Sequence, residues 1–168
     1  IRKPRALHRV GFAAGSGITP ILSIIATTLD ERPPAEFTLV YGNRRMRSLM
    51  FNEALQDLKD KYRHRLTLIH VLSRQAQEVP LLEGRIDGAK VRQLLNTLLP
   101  AASMDEVFIC GPEAMIDATE AALAAAGLAV ARLAAEGFAA RFVVAGFAAG
   151  FAGGFGRFAL EWGAAAGL

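Results

Sequence analysis

The stretch GFAAGSGITP, Gly11–Pro20, decides how the rest of the chain is read. It predicts a strand, Val10–Ala14, that runs into Gly15-Ser16-Gly17 and then a helix from about Pro20 to Leu29. Thr19 is a residue type that caps helix starts, and proline suits the first helical position. Glycines let a backbone approach a ligand closely. The free N–H groups and positive end of a helix start attract anions. Gly15, Ser16, Gly17 and Thr19 are therefore candidate ligands of a diphosphate, with an ordinary threonine-capped glycine turn as the plain alternative. No third glycine completes a G-x-G-x-x-G fingerprint, and no Gly-Lys-Ser/Thr makes a Walker loop.

Outward from this stretch, short apolar runs alternate with helical periods. Strands are expected at Glu36–Gly42, Leu66–Leu72, Glu106–Gly111 and about Leu128–Ala134. Helices are expected from Ser48 to about Tyr62, Ala89 to Leu99, and after Pro112 to Ala126, with Gly127 as a stop signal. A β-α-β-α-β-α-β-α-β order predicts an α/β fold, a doubly wound five-stranded parallel sheet with helices on both faces. Ligands of such sheets bind at the carboxyl ends of the strands. Four polar clusters fall at that edge: Ser16–Thr19, Asn43–Arg45, Ser73–Arg74 and Cys110–Pro112.

The chain has 168 residues, 52% hydrophobic and 21% charged, enough for one core-bearing domain and far from a disordered composition. Three segments are expected: a basic connector at 1–9, a nucleotide-binding domain at 10–138, and an Ala/Gly/Phe-rich tail at 139–168, to which no function is assigned. Ile1 opens the chain with no Met and no signal-peptide pattern, which fits an internal portion of a longer protein. Phe142–Gly156, between Arg141 and Arg157, is too short for a membrane span of about 20 residues. A single cysteine excludes a disulfide framework and fits a reducing, cytoplasmic setting. The net charge of +3 divides into +7 for residues 1–100 and −4 for the remainder. The basic part has no block-like runs, so it suits a small anion better than a nucleic acid.

At the end of the second strand, NAD-selective dinucleotide folds usually carry an acidic residue for the ribose 2′-hydroxyl. This chain has Tyr41-Gly42-Asn43-Arg44-Arg45 instead. Arginine forks pair well with a phosphate monoester. Arg44, Ser73, Arg74 and Arg85 are candidates to converge on a 2′-phosphate; taken singly, each arginine also fits a solvated surface position. Cys110, closing the fourth strand, is open to two readings, a thiol beside a reacting ring or a small buried residue ending a strand. His8, His64 and His70 are too scattered for a metal site, and none is expected.

Taken together, GSGITP, YGNRR, LSRQ with GRI, and CGPEAM resemble the nucleotide domain of the ferredoxin–NADP reductase superfamily, over about residues 7–138. Within it the resemblance is strongest to reductases serving bacterial phenylacetate breakdown. The resemblance implies NADPH as hydride donor, with Cys110 near nicotinamide C4 and Gly111, Pro112 and Met115 shaping that pocket. It also implies that Glu136 and Phe138, in AEGF, reach toward a flavin. Gly137 between them departs from the larger or basic residue that close relatives tend to carry. An FAD-binding domain would precede Ile1. A plant-type ferredoxin domain with a [2Fe–2S] centre would follow, since no cysteine lies after Cys110. The implied activity is electron transfer from NADPH through FAD to an oxygenase component or ferredoxin. Two other readings predict different behaviour: a nucleotide-binding module without turnover, and a flavodoxin-like FMN or phosphate binder indifferent to NADP⁺ against NAD⁺.

Overall fold

The computed structural model describes residues 6–133 and 142–146. Four strands form a parallel core: β1 (His8–Ala14), β2 (Glu36–Asn43), β3 (Leu66–Leu72) and β4 (Glu106–Cys110). Helices α1 (Ile18–Glu31), α2 (Asn52–Lys61), α3 (Gly88–Thr97) and α4 (Glu113–Ala125) alternate with them.

Period-two alternation divides the strand side chains between two cores, as expected where both sheet faces are covered. Phe37, Leu39 and Tyr41 of β2 and Phe108 and Cys110 of β4 face one core with Ile21 and Ile25 of α1. Val10 and Phe12 of β1 and Val107 and Ile109 of β4 face the other, with Val91 and Leu94 of α3 and Ile116 and Leu123 of α4. Gly11 belongs to the first face, where an added Cβ would come 2.9 Å from Ile21 Cγ2. The strand thus lies close under its helix.

The sheet differs from the expected five parallel strands. Its order is β3-β2-β1-β4-β6-β5, with β5 at Ala129–Leu133 and β6 at Phe142–Gly146. β6 runs antiparallel to both β4 and β5 and lies between them, so the fifth strand does not extend a parallel sheet. The cause is legible after the fact. FVVAG is a five-residue β-favouring run, and it is hidden among glycines and alanines that carry no longer period.

The chain after β1 also departs from expectation. A 3₁₀ turn, Gly15–Gly17, leads into α1 at Ile18, so Thr19 and Pro20 lie inside the helix and Gly17 occupies the cap position without a side-chain bond. Helix α2 starts later than expected. A 3₁₀ turn at Met46–Ser48 comes first, and Phe51 sits in the left-handed region with φ 56°. No helix among the described residues is long and apolar enough to cross a membrane.

Candidate functional site

The parallel strands end together, and their carboxyl edge carries a cavity of about 730 Å³. That is the size of a small-molecule site. Of the residues singled out from sequence, Gly15, Arg44, Ser73, Arg74, Arg85, Pro112 and Met115 line it. Ser16, Gly17, Thr19, Cys110 and Gly111 lie outside its lining. Glu136 and Phe138 lie outside the described residues.

Backbone hydrogen bonds fix the arginine-bearing loops. The β2–β3 ladder continues past the strands, with Ser73 N–H donating to Asn43 O and Arg74 N–H to Arg44 O, each at 2.9 Å. Met46 N–H adds a bond to the Gln75 side-chain oxygen at 3.0 Å. The loop carrying Arg85 folds back on β3 through Gly84 N–H to Leu72 O at 3.0 Å. It closes over Gly42, where an added Cβ would come 2.9 Å from Ile86 Cδ1. Asp87, the last residue of this loop, accepts from Lys90 N–H at 2.8 Å and so caps α3.

Three arginines thus reach one cavity from two connections, Arg44 just after β2 and Arg74 and Arg85 from opposite ends of the β3–α3 connection. Arg44, Arg74 and Arg85 are exposed, and among the described residues no side-chain hydrogen bond or ion pair engages them. Asn43 lines the same cavity, and its Nδ2 is buried without a partner among the described residues. Buried donors left unpaired cost free energy, and they are uncommon enough to need a reason. The sequence alone does not single out Asn43, Met50 or Asp87 as ligand residues, yet all three line the cavity. Asn43 has a signal, because it occupies the position at which an acidic residue reads ribose in other dinucleotide sites.

The glycines of the first turn have separate tasks. Gly15 adopts φ +55° with open space around it, so it serves backbone conformation. A Cβ on Gly17 would overlap the Cys110 carbonyl, so Gly17 serves close packing of the turn on the end of β4. At Gly111 a Cβ would come 2.7 Å from Met115 Cε and 3.3 Å from Ala14 N, which lets β4 end tightly beside β1. Cys110 is fully buried in the core under α1, and burial pushes its thiol above the ordinary value. A neutral, unreactive thiol at that place suits a packing or floor position better than a nucleophile. Among the described residues no group of three or more His, Cys, Asp or Glu could hold a metal ion.

A charged, preformed cavity at the carboxyl edge of a doubly wound sheet is the arrangement of a nucleotide-binding domain. Residues 12–121 match the family model described as the oxidoreductase NAD-binding domain, and the chain belongs to that family. One subunit of the 1,2-phenylacetyl-CoA epoxidase of Escherichia coli is 53% identical over 119 residues, 71% of this chain and 33% of that protein. The ferredoxin reductase component of the 3-ketosteroid-9-alpha-monooxygenase of Rhodococcus rhodochrous is 38% identical over 127 residues, 76% of this chain and 33% of that protein. The chain therefore spans about a third of the length of these relatives. Among solved structures, the CS-b5R domains of human Ncb5or in the NAD⁺ form match 71% of this chain and 34% of that chain, with 26% identity and a TM-score of 0.58.

Proposed function

We propose that this chain captures NADPH for a flavin-dependent electron-transfer reductase that serves an oxygenase in phenylacetate degradation. Three arginines without side-chain partners among the described residues, converging with Ser73 on one cavity, carry the reading. The likeness to the Escherichia coli phenylacetyl-CoA epoxidase protein supports the pathway. In this reading, amides of the turn Gly15–Thr19 hold the diphosphate, and Arg44, Ser73, Arg74 and Arg85 hold the 2′-phosphate. Gly111, Pro112 and Met115 shape the nicotinamide end, and Cys110 packs uncharged behind it, close to nicotinamide C4. Glu136 and Phe138 extend toward the flavin. NADPH, when bound, would supply a hydride for FAD, and an iron–sulfur centre would pass single electrons on to an oxygenase or ferredoxin. The protein's part is capture and orientation. FAD and [2Fe–2S] belong, in this reading, to domains outside these 168 residues.

Titration calorimetry with NADP⁺ and NAD⁺ tests the assignment. The chain should prefer NADP⁺, and Arg74→Ala should weaken NADP⁺ by about tenfold, the size of one charge-assisted phosphate contact, while leaving NAD⁺ within twofold. Equal affinity for the two dinucleotides, or an Arg74→Ala variant that binds NADP⁺ as the parent does, rejects the 2′-phosphate site. Uptake of FMN by the chain in place of either dinucleotide favours the flavodoxin-like alternative.

A further inference from the structure

Tyr41 carries a feature that its packing does not require. It is fully buried in β2 among the apolar side chains under α1, where a phenylalanine would fill nearly the same space. Its hydroxyl instead reaches the turn after β1 and donates to the Gly15 carbonyl at 3.3 Å. Buried tyrosine hydroxyls are generally placed where a partner waits, because an unmet one is costly. The partner here is the carbonyl of the one residue in that turn with positive φ, and that residue lines the cavity.

In a planar trans peptide, C=O and N–H point in opposite directions. The Gly15 carbonyl is turned inward, toward the Tyr41 hydroxyl and the Ile18 N–H that also donates to it. The N–H of the same peptide belongs to Ser16 and is therefore turned the other way. Ser16 is exposed and lies in the first turn of the helical run that starts at Gly15, where N–H groups lack intrahelical acceptors. We propose that Tyr41 is a positioning residue for diphosphate capture: by holding the Gly15 carbonyl, its buried hydroxyl aims the Ser16 amide at the bridging phosphates.

The inference rests on the dinucleotide reading above, and two ligands separate the two claims. NADP⁺ has both the diphosphate and the 2′-phosphate, whereas adenosine 2′-monophosphate has only the latter. In the full 168-residue chain, Tyr41→Phe should weaken NADP⁺ about fivefold, equivalent to about 1 kcal/mol, and leave adenosine 2′-monophosphate within twofold. Ser16→Pro deletes the aimed N–H outright and should show the same selectivity. Once Ser16→Pro is in place, adding Tyr41→Phe should cost no further NADP⁺ affinity, a coupling that a merely structural role would not produce. Three results overturn the assignment: unchanged NADP⁺ binding by Tyr41→Phe, equal loss of both ligands, or additive losses in the double variant. A parent chain that binds neither ligand rejects the dinucleotide reading itself, and the inference falls with it.

Discussion

The two ends of the sheet hold the same kinds of side chain in opposite conditions. At the amino end three prominent polar residues, Arg9, His8 and Arg65, are spent within the protein. Arg9, 5% exposed, bonds Glu106 at 2.6 Å and the Thr28 hydroxyl at 2.8 Å, and its guanidinium lies over the Phe108 ring. His8 uses both ring nitrogens, on Ser103 O and the Thr38 hydroxyl, each at 2.9 Å, and its N–H donates to Asp105. Arg65 donates to the carbonyls of Leu29 and Ala35 at the end of α1 and just beyond it. At the carboxyl end, Arg44, Arg74 and Arg85 face solvent across a cavity with no side-chain partner among the described residues. Arginine is thus a strut at one end and, in the proposed reading, a receptor at the other. What separates the roles is whether an acceptor of the protein lies within reach.

Breaking the strut should have the largest effect. Arg9→Met retains an unbranched stem but leaves Glu106 without its cation. The pair is half-buried, with the Glu106 side chain 29% exposed, so losing it together with the Thr28 bond should cost about 1–2 kcal/mol, and the contact joins β1, β4 and α1. Urea unfolding should register that loss as a lower midpoint, while the folded variant binds NADP⁺ within twofold of the parent. A stability loss below about 0.5 kcal/mol would mean that the amino end is no more committed than an ordinary surface.

The receptor should respond in reverse and by less. Arg85→Ala should leave the urea midpoint where it was and weaken NADP⁺ about fivefold. Raising salt should weaken NADP⁺ binding to the parent more steeply than to Arg85→Ala, since exposed charges are screened and one contact has gone. A variant that loses stability without losing affinity would move Arg85 to the strut class.

Much of this contrast is visible in the sequence, for identifiable reasons. Glycine, proline and apolar alternation punctuate residues 10–128 so regularly that strand β3 falls at Leu66–Leu72 as expected, and every parallel strand lies within two residues of its expected ends. The arginines can be placed at the carboxyl edge because each follows the end of a strand or lies in the loop that returns to one. Other features depend on contacts that local pattern does not encode. Gly17 reads as a phosphate-approach glycine, yet its lack of a Cβ is demanded by the Cys110 carbonyl, far away along the chain. Thr19 carries the chemistry of a cap, but the 3₁₀ turn starts the helix earlier and leaves the cap position to Gly17. Tyr41 reads simply as an apolar strand position, because only the fold brings its hydroxyl to Gly15. β6 escapes sequence reading because five residues within a glycine-rich run are too few to show a period.

Two histidines give the smallest and most delicate form of the same comparison. His8 has a partner on each nitrogen, whereas the Nδ1 of His70, in the middle of β3 and tilted against the Tyr41 ring, is buried without one among the described residues. Burial alone holds His70 below its ordinary value of 6.5, because a charged ring there would lose hydration and gain no acceptor. The sign follows from linkage. The unfolded chain takes up the proton first, so the stability contributed by the neutral ring is complete above pH 6.5 and is lost as pH falls through the lower folded value. The melting temperature of the parent should therefore decline between about pH 7.5 and about pH 5 more steeply than that of His70→Gln, which has no proton to bind. His64→Gln, at an exposed loop position, supplies the background slope. Parallel slopes for the parent and His70→Gln would mean that β3 yields a proton acceptor to the ring, and that the unpartnered state is confined to the carboxyl edge where the dinucleotide is proposed to bind.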